Sequence, residues 1–323
     1  MNPPPRATRR ELLGLLVPIF LLGRTAAASA QVRSLDVDRI ASRRAPGTRT
    51  ARIRRYRVRA AVSLFSIPLL SKDNVGAACL TVEDLVSGSG RTTAIQFASG
   101  SWPDRINGFN RFGMTQEVVH EEDGAVIESA YLSFMTSSPE HDPDQAWRAF
   151  ADRSGTLNLS VARGAADRTA YQCTLEHLPA PAGSTWMDSP TLMEELRSNN
   201  SAAAEGAARE ISERAYPTFL HAVRKAMTCG IRHSRCTFMH NAKLYDLESV
   251  LSSAGGMTVL TGHITEQGSR SPSEFRLWFA PDDSSTLPVK IEFRPRSFLR
   301  LVFEQDMNAG GPTPRNLIPR ESA

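Results

Sequence analysis

Apolar and polar residues alternate along most of this chain, and a period of two marks strands with one buried face. In "YRVRAAVSLFSI", Tyr56, Val58, Ala60, Val62 and Leu64 alternate with Arg57, Arg59, Ala61 and Ser63. "VGAACLTVEDL" and "RTTAIQF" read as two further strands joined by a Ser/Gly turn, Ser87 to Gly90. "MTQEVVHEE" and "AVIESAYLSFM" flank Asp123-Gly124, which supplies the positive φ angles of a tight hairpin. "TLNLSVA" and "AYQCTLEHL" make another pair. "SEFRLWFA", "LPVKIEFRP" and "SFLRLVFEQ" predict three antiparallel neighbours separated by Pro- and Asp-rich turns.

Helical signals are fewer and lie between the strand groups. Asp142-Pro143 and Ser189-Pro190 each place a capping side chain before a proline at the first helical position. From Ala202 to Met227 the chain is first Ala- and Glu-rich and then amphipathic, with Phe219, Val223 and Met227 at i, i+4 and i+8. The strand–helix alternation of a doubly wound sheet is absent. The pattern predicts a sheet-dominated α+β fold, a curled antiparallel β-sheet or partly open barrel with a helical segment inserted near 189–228.

Charge changes the picture at the N-terminal end. The chain has 38 Lys+Arg against 34 Asp+Glu, but residues 31–59 alone hold ten Arg and two Asp. Ahead of them, Arg9-Arg10, the apolar run Leu12 to Leu22 and Ala28-Ser29-Ala30 read as an export signal over residues 1–30, with cleavage before Gln31. The run is about half of what a membrane-spanning helix needs. Twin-arginine and general secretory export both fit it. The expected layout is therefore a signal (1–30), a basic disordered arm (31–53), one β-rich domain (54–305) and a disordered tail (306–323). The location is periplasmic or secreted. For an exported protein the arm reads as a solvated spacer in loose contact with membrane headgroups, with no nucleic-acid partner.

"SIPLLSKDNVGAA", "AIQFASGSWPDRINGFNRFG", "AYLSFMTSSPE", "FRLWF" and "EFRPRSFLRLVFE" together resemble a group of uncharacterised exported bacterial proteins. The likeness runs over about 54–305, and its end is similar to a broader periplasmic domain of unknown function with a long curled antiparallel sheet. The resemblance implies that fold and carries no catalytic residue across.

Candidate chemistry is sparse. Cys229, His233, Cys236 and His240 are all of metal-ligand type. If Cys236 to His240 is extended, however, those two lie about 13 Å apart, too far to share an ion. In an oxidising compartment, a Cys229–Cys236 disulfide closing the loop after the helix is the preferred reading, with free thiols as the alternative. No metal or other cofactor is expected. Cys79 and Cys173 could pair only on neighbouring strands. "HEEDG" from His120 and "SPEHDPD" from Ser138 read as a solvated hairpin end and an acidic helix start. There is no G-x-S-x-G, H-E-x-x-H, Walker or dinucleotide motif.

In the loop 97–114, Trp102, Phe109 and Phe112 read first as a plug over one end of the sheet. They read second as a ligand lip completed by Arg105 and Arg111. The expected function is non-catalytic binding or carriage of a lipid-like apolar or amphipathic molecule in the cell envelope. A hydrolase with scattered catalytic residues and a structural or interaction protein of the envelope are the alternatives.

Overall fold

The computed structural model describes residues 48–64, 67–101, 111–137, 143–164, 171–181, 183–184, 186, 189–190, 192–193, 209–212, 215–241, 243–269, 272–281, 283, 286–296 and 299–307. The first strands are β1 (Thr48–Leu64), β2 (Ile67–Ser87), β3 (Gly90–Ser101), β4 (Arg111–Glu122) and β5 (Ala125–Ser137). Helix α1 (Pro143–Asp152) follows, then β6 (Thr156–Gly164), β7 (Tyr171–Pro179) and β8 (Arg209–Ser212). Helix α2 (Phe219–Thr228) leads into β9 (His233–His240), β10 (Lys243–Ala254), β11 (Met257–Glu266), β12 (Ser273–Phe279), β13 (Lys290–Arg296) and β14 (Leu299–Gln305).

All fourteen strands join one sheet in the order β8-β7-β6-β5-β4-β3-β2-β1-β14-β13-β12-β11-β10-β9. From β1 to β8 and from β9 to β14 each strand pairs antiparallel with the next in sequence, most of them through short hairpins. At the β4–β5 tip Asp123 and Gly124 have φ of 49° and 79°, the mirror-image turn that matches strand twist. The exception to chain order is β1 beside β14, which puts the two ends of the domain next to each other inside the sheet. Its free edges are then β8 and β9, joined by the segment that carries α2. That segment also covers the β9 edge: Met239 N donates to Pro217 O at 2.9 Å, and Thr218 pairs parallel with Met239. Covering an edge in this way removes a template for unwanted pairing.

The sheet curls until its distant parts touch. The rings of Tyr131 on β5 and His240 on β9 lie 4.5 Å apart in an edge-on contact, although nine strands separate β5 from β9 in the sheet order. Directly opposed residues share a face, so Arg52, Val82, Ile95, Glu117 and Tyr131 form one row on the inner side. There Phe219, Ala222 and Val223 of α2 pack with Ile95, Phe97, Phe275 and Phe303. The opposite face of β3 and β4 carries Ala94, Ala98, Met114 and Val118, which pack under Trp147 of α1, Leu192 and Met193. Residues 92–99 are consequently buried without interruption. The second layer has a polar seam, in which Gln96 Nε2 and Ser189 Oγ both donate to Gln116 Oε1, at 3.2 and 3.0 Å.

Several boundaries differ from the sequence reading. Residues 48–53, expected in the disordered arm, are strand, because they pair with β2 from Thr48↔Val86 to Ile53↔Thr81. The segment 189–228 is not continuously helical: residues 209–212 form β8 on the edge of β7. β10 and β11 were not anticipated. Residues 1–47 and 308–323, including the expected signal, most of the arm and the tail, lie outside the described residues.

Candidate functional site

Helix α2 is the wall of the site. Its Phe219 and Val223 are buried and Met227 is half-buried, the stripe expected from their spacing. Behind α2 lies an apolar cavity of about 70 Å³, lined among others by Ile95, Phe97, Phe275, Leu277, Phe293 and Phe303. In front of it is an open cleft of about 790 Å³ bordered by Arg232, Leu251, Ser253, Thr258 and Asp283. Met227, Phe279, Thr286 and Leu287 border both, so they form the mouth between cleft and cavity. The cleft falls in the size range of small-molecule sites, whereas the cavity holds only a short apolar end. The helix therefore fills most of the space that curling encloses.

Three alternate residues of β1 secure this mouth from the inner face. Arg52 Nη1 donates to Thr286 Oγ1 at 3.0 Å. Arg54 bonds the carbonyl of Leu287 and pairs with Asp283. Tyr56 Oη donates to Pro288 O at 2.7 Å, and burial drives its phenol far above the ordinary range.

A carboxylate sits at the same level. Asp84 accepts a bidentate pair from Arg224 of α2, Nη1 to Oδ1 at 2.8 Å and Nη2 to Oδ2 at 2.7 Å. Thr93 Oγ1 adds a bond of 2.8 Å, Arg52 pairs with Oδ2, and Arg91 Nε stands 3.4 Å from Oδ1. Burial alone would raise Asp84, but the hydrogen bonds and charge of Arg224, the Thr93 hydroxyl and Arg91 outweigh it and hold the carboxyl below its ordinary range.

The other end of α2 rests on Glu117 of β4. Thr218 at the N-cap makes no side-chain cap bond; Glu117 Oε2 accepts from Leu220 N at 2.8 Å and His221 N at 3.3 Å instead. A carboxylate from a distant strand thus serves the helix's open N–H groups. Complete burial nevertheless pushes Glu117 up to about 7. Tyr131, opposite Glu117, touches His240, which burial pushes down to about 3, and neither ring nitrogen of His240 finds a hydrogen-bond partner. His221 Nε2 is 3.8 Å from Glu121 Oε2, yet burial outweighs that carboxylate and lowers His221, so the pair is not ionic at neutral pH.

The sequence-predicted residues fall differently. Trp102, Arg105 and Phe109 lie outside the described residues, as does the side chain of Arg111, whose backbone starts β4 opposite Ser137. The disulfide expected between Cys229 and Cys236 is not formed: both thiols are free, Cys229 exposed at the end of α2 and Cys236 half-buried on β9 against the inner core. β9 is extended from His233 to His240, the conformation that keeps Cys236 and His240 from a common ion. β2 and β7, which carry Cys79 and Cys173, are separated by four strands and so are not neighbours. Sequence reading missed Arg52, which it assigned to the disordered arm, and Arg54, the first residue of the expected domain, and it missed Asp84 and Glu117, which look like ordinary outward polar positions. The available signal was register: Arg52 and Arg54 share the parity of Tyr56 and Val58.

No family profile matches the chain, and no curated protein matches it. Among solved structures it is similar to a beta-barrel-like protein of a domain of unknown function, DUF1849, from Brucella abortus. The superposition has a TM-score of 0.41 and 8% identity, covering 79% of this chain and 95% of that one. Among the described residues, no helix is long and apolar enough to cross a membrane.

Proposed function

We propose that this protein binds, without chemistry, an amphipathic molecule of the cell envelope. Its short apolar end enters the cavity behind α2 and its bulk lies in the cleft. The observation that supports this is the shared mouth, Met227, Phe279, Thr286 and Leu287, which joins a ligand-sized cleft to an apolar cavity. The envelope location rests on the apolar run Leu12 to Leu22 and on Ala28-Ser29-Ala30. A hydrolytic reading has less support. Its nearest approach, Thr92 Oγ1 3.0 Å from His120 Nδ1 with Glu122 3.9 Å from Nε2, is a cross-strand pair near a hairpin end that borders neither space.

The test is mass spectrometry of an organic extract of the protein isolated from the native periplasmic fraction, beside a Leu277→Trp variant that fills the cavity. A single amphiphile released by the native protein and missing from the folded variant is the expected result. An empty extract from both, or a protein found only in the cytoplasm, would overturn the reading.

A further inference from the structure

The electrostatics of the mouth say which end group the cleft selects, an inference that rests on the amphiphile reading above. Six cationic side chains surround the mouth and the adjoining end of α2: Arg52, Arg54, Arg91, Arg224, Lys225 and Arg232. Among the described residues three carboxylates answer them. Asp84 takes Arg224, Arg52 and Arg91. Asp283 pairs with Arg54, and Glu121 pairs with Lys225. Five of the six cations therefore have a carboxylate partner, and Arg232 is the sixth.

Arg232 is the cation at the cleft placed to meet an anion. It is exposed, borders the cleft, and has no ion pair or side-chain hydrogen bond among the described residues. Its position is fixed by the sheet rather than by a salt bridge, because Leu251 N donates to its carbonyl at 2.8 Å. Gly230, with φ of 65°, turns the chain out of α2 just before it. A guanidinium held by its backbone and free at its tip can take a carboxylate or phosphate oxygen pair in fork geometry. Nearby, Ser253 borders the same cleft and offers a hydroxyl group, whereas the Ser252 hydroxyl donates to Val259 O at 3.4 Å.

We infer that the cleft selects an anionic amphiphile, with a carboxylate or phosphate head on Arg232 and a short alkyl end behind Met227 and Leu287. The test is calorimetric titration of the full mature chain with octanoate, octyl phosphate, octanol and inorganic phosphate, repeated on Arg232→Ala and Arg232→Glu. Arg232 is exposed, so both variants should fold. The expected result is that the two octyl anions bind about fivefold more tightly than octanol, as one exposed charge pair allows. That preference should vanish in Arg232→Ala and reverse in Arg232→Glu. Equal binding of anions and octanol would overturn this inference and leave the amphiphile reading standing. No binding of any octyl compound would overturn the amphiphile reading itself. Inorganic phosphate binding as tightly as octyl phosphate would show a free-anion site and sink both.

Discussion

At the residue scale, the informative positions are polar ones that a pattern of two assigns to water. Glu117 and Gln116 are adjacent on β4, and both are buried, because β4 is covered on each face. Nothing local marks such a strand, since double burial is decided by α1 and α2 arriving from far along the chain. The consequence is a pH dependence with opposing parts. His240, pushed down to about 3, takes up its proton on unfolding, so its share of stability is intact above about 6.5 and is lost as pH falls toward 3. Glu117, pushed up to about 7, already holds a proton that the unfolded carboxyl binds only near 4.5, so it adds stability as pH falls between those values. Urea unfolding at pH 7.5 and pH 5 separates the two. His240→Phe should lose about 2 kcal/mol less than the native chain on acidification, while Glu117→Gln should lose more. Identical pH profiles for all three proteins would remove this account.

At the element scale, α2 was legible in its buried stripe but not in its extent. Phe219, Val223 and Met227 have helical spacing, whereas the Ala/Glu-rich residues before them suggested a helix across 209–212, where β8 instead pairs with β7. An edge strand of four residues has too few positions to show a period, and pairing to a neighbour overrides its helix propensity. β10 and β11 were missed for a related reason. Their distal parts, including Ser252 to Ala254, are exposed and carry no buried stripe. Helix α2 is fastened at one end by Glu117 and at the other by Arg224 on Asp84, with Phe219 between β9 and β12. Phe219→Ala should therefore cost about 3–5 kcal/mol. Met227→Ala, at the half-buried mouth, should cost less and leave the helix docked. Chemical denaturation of both variants checks the order, and a Met227→Ala loss as large as that of Phe219→Ala would show that the mouth is part of the core.

At the scale of the whole molecule, the α+β class and the curled sheet followed from many one-sided strands with few helices to cover them. The strand order did not, because pairing of β1 with β14 depends on contacts such as Tyr56↔Gln305 that no local pattern reports. That order has a thermodynamic consequence. The two hydrophobic layers are not separate lobes, since β3 supplies side chains to both: Ile95 and Phe97 to the inner layer, Ala94 and Ala98 to the outer one. Losing either layer exposes the back of the same strand, so neither can melt while the other persists, and the first and last strands are paired in the middle of the sheet. Phe293 belongs to the inner layer, while Trp147 belongs to the outer one and bonds Ser184 O at 2.8 Å. Phe293→Ala and Trp147→Ala should each cost about 3–5 kcal/mol and lower one common transition. Scanning calorimetry read together with near-ultraviolet circular dichroism decides the matter. One peak shifted in both variants is the expected outcome. A second peak, moved by only one of the substitutions, would show that the layers unfold independently and that the shared strand does not couple them.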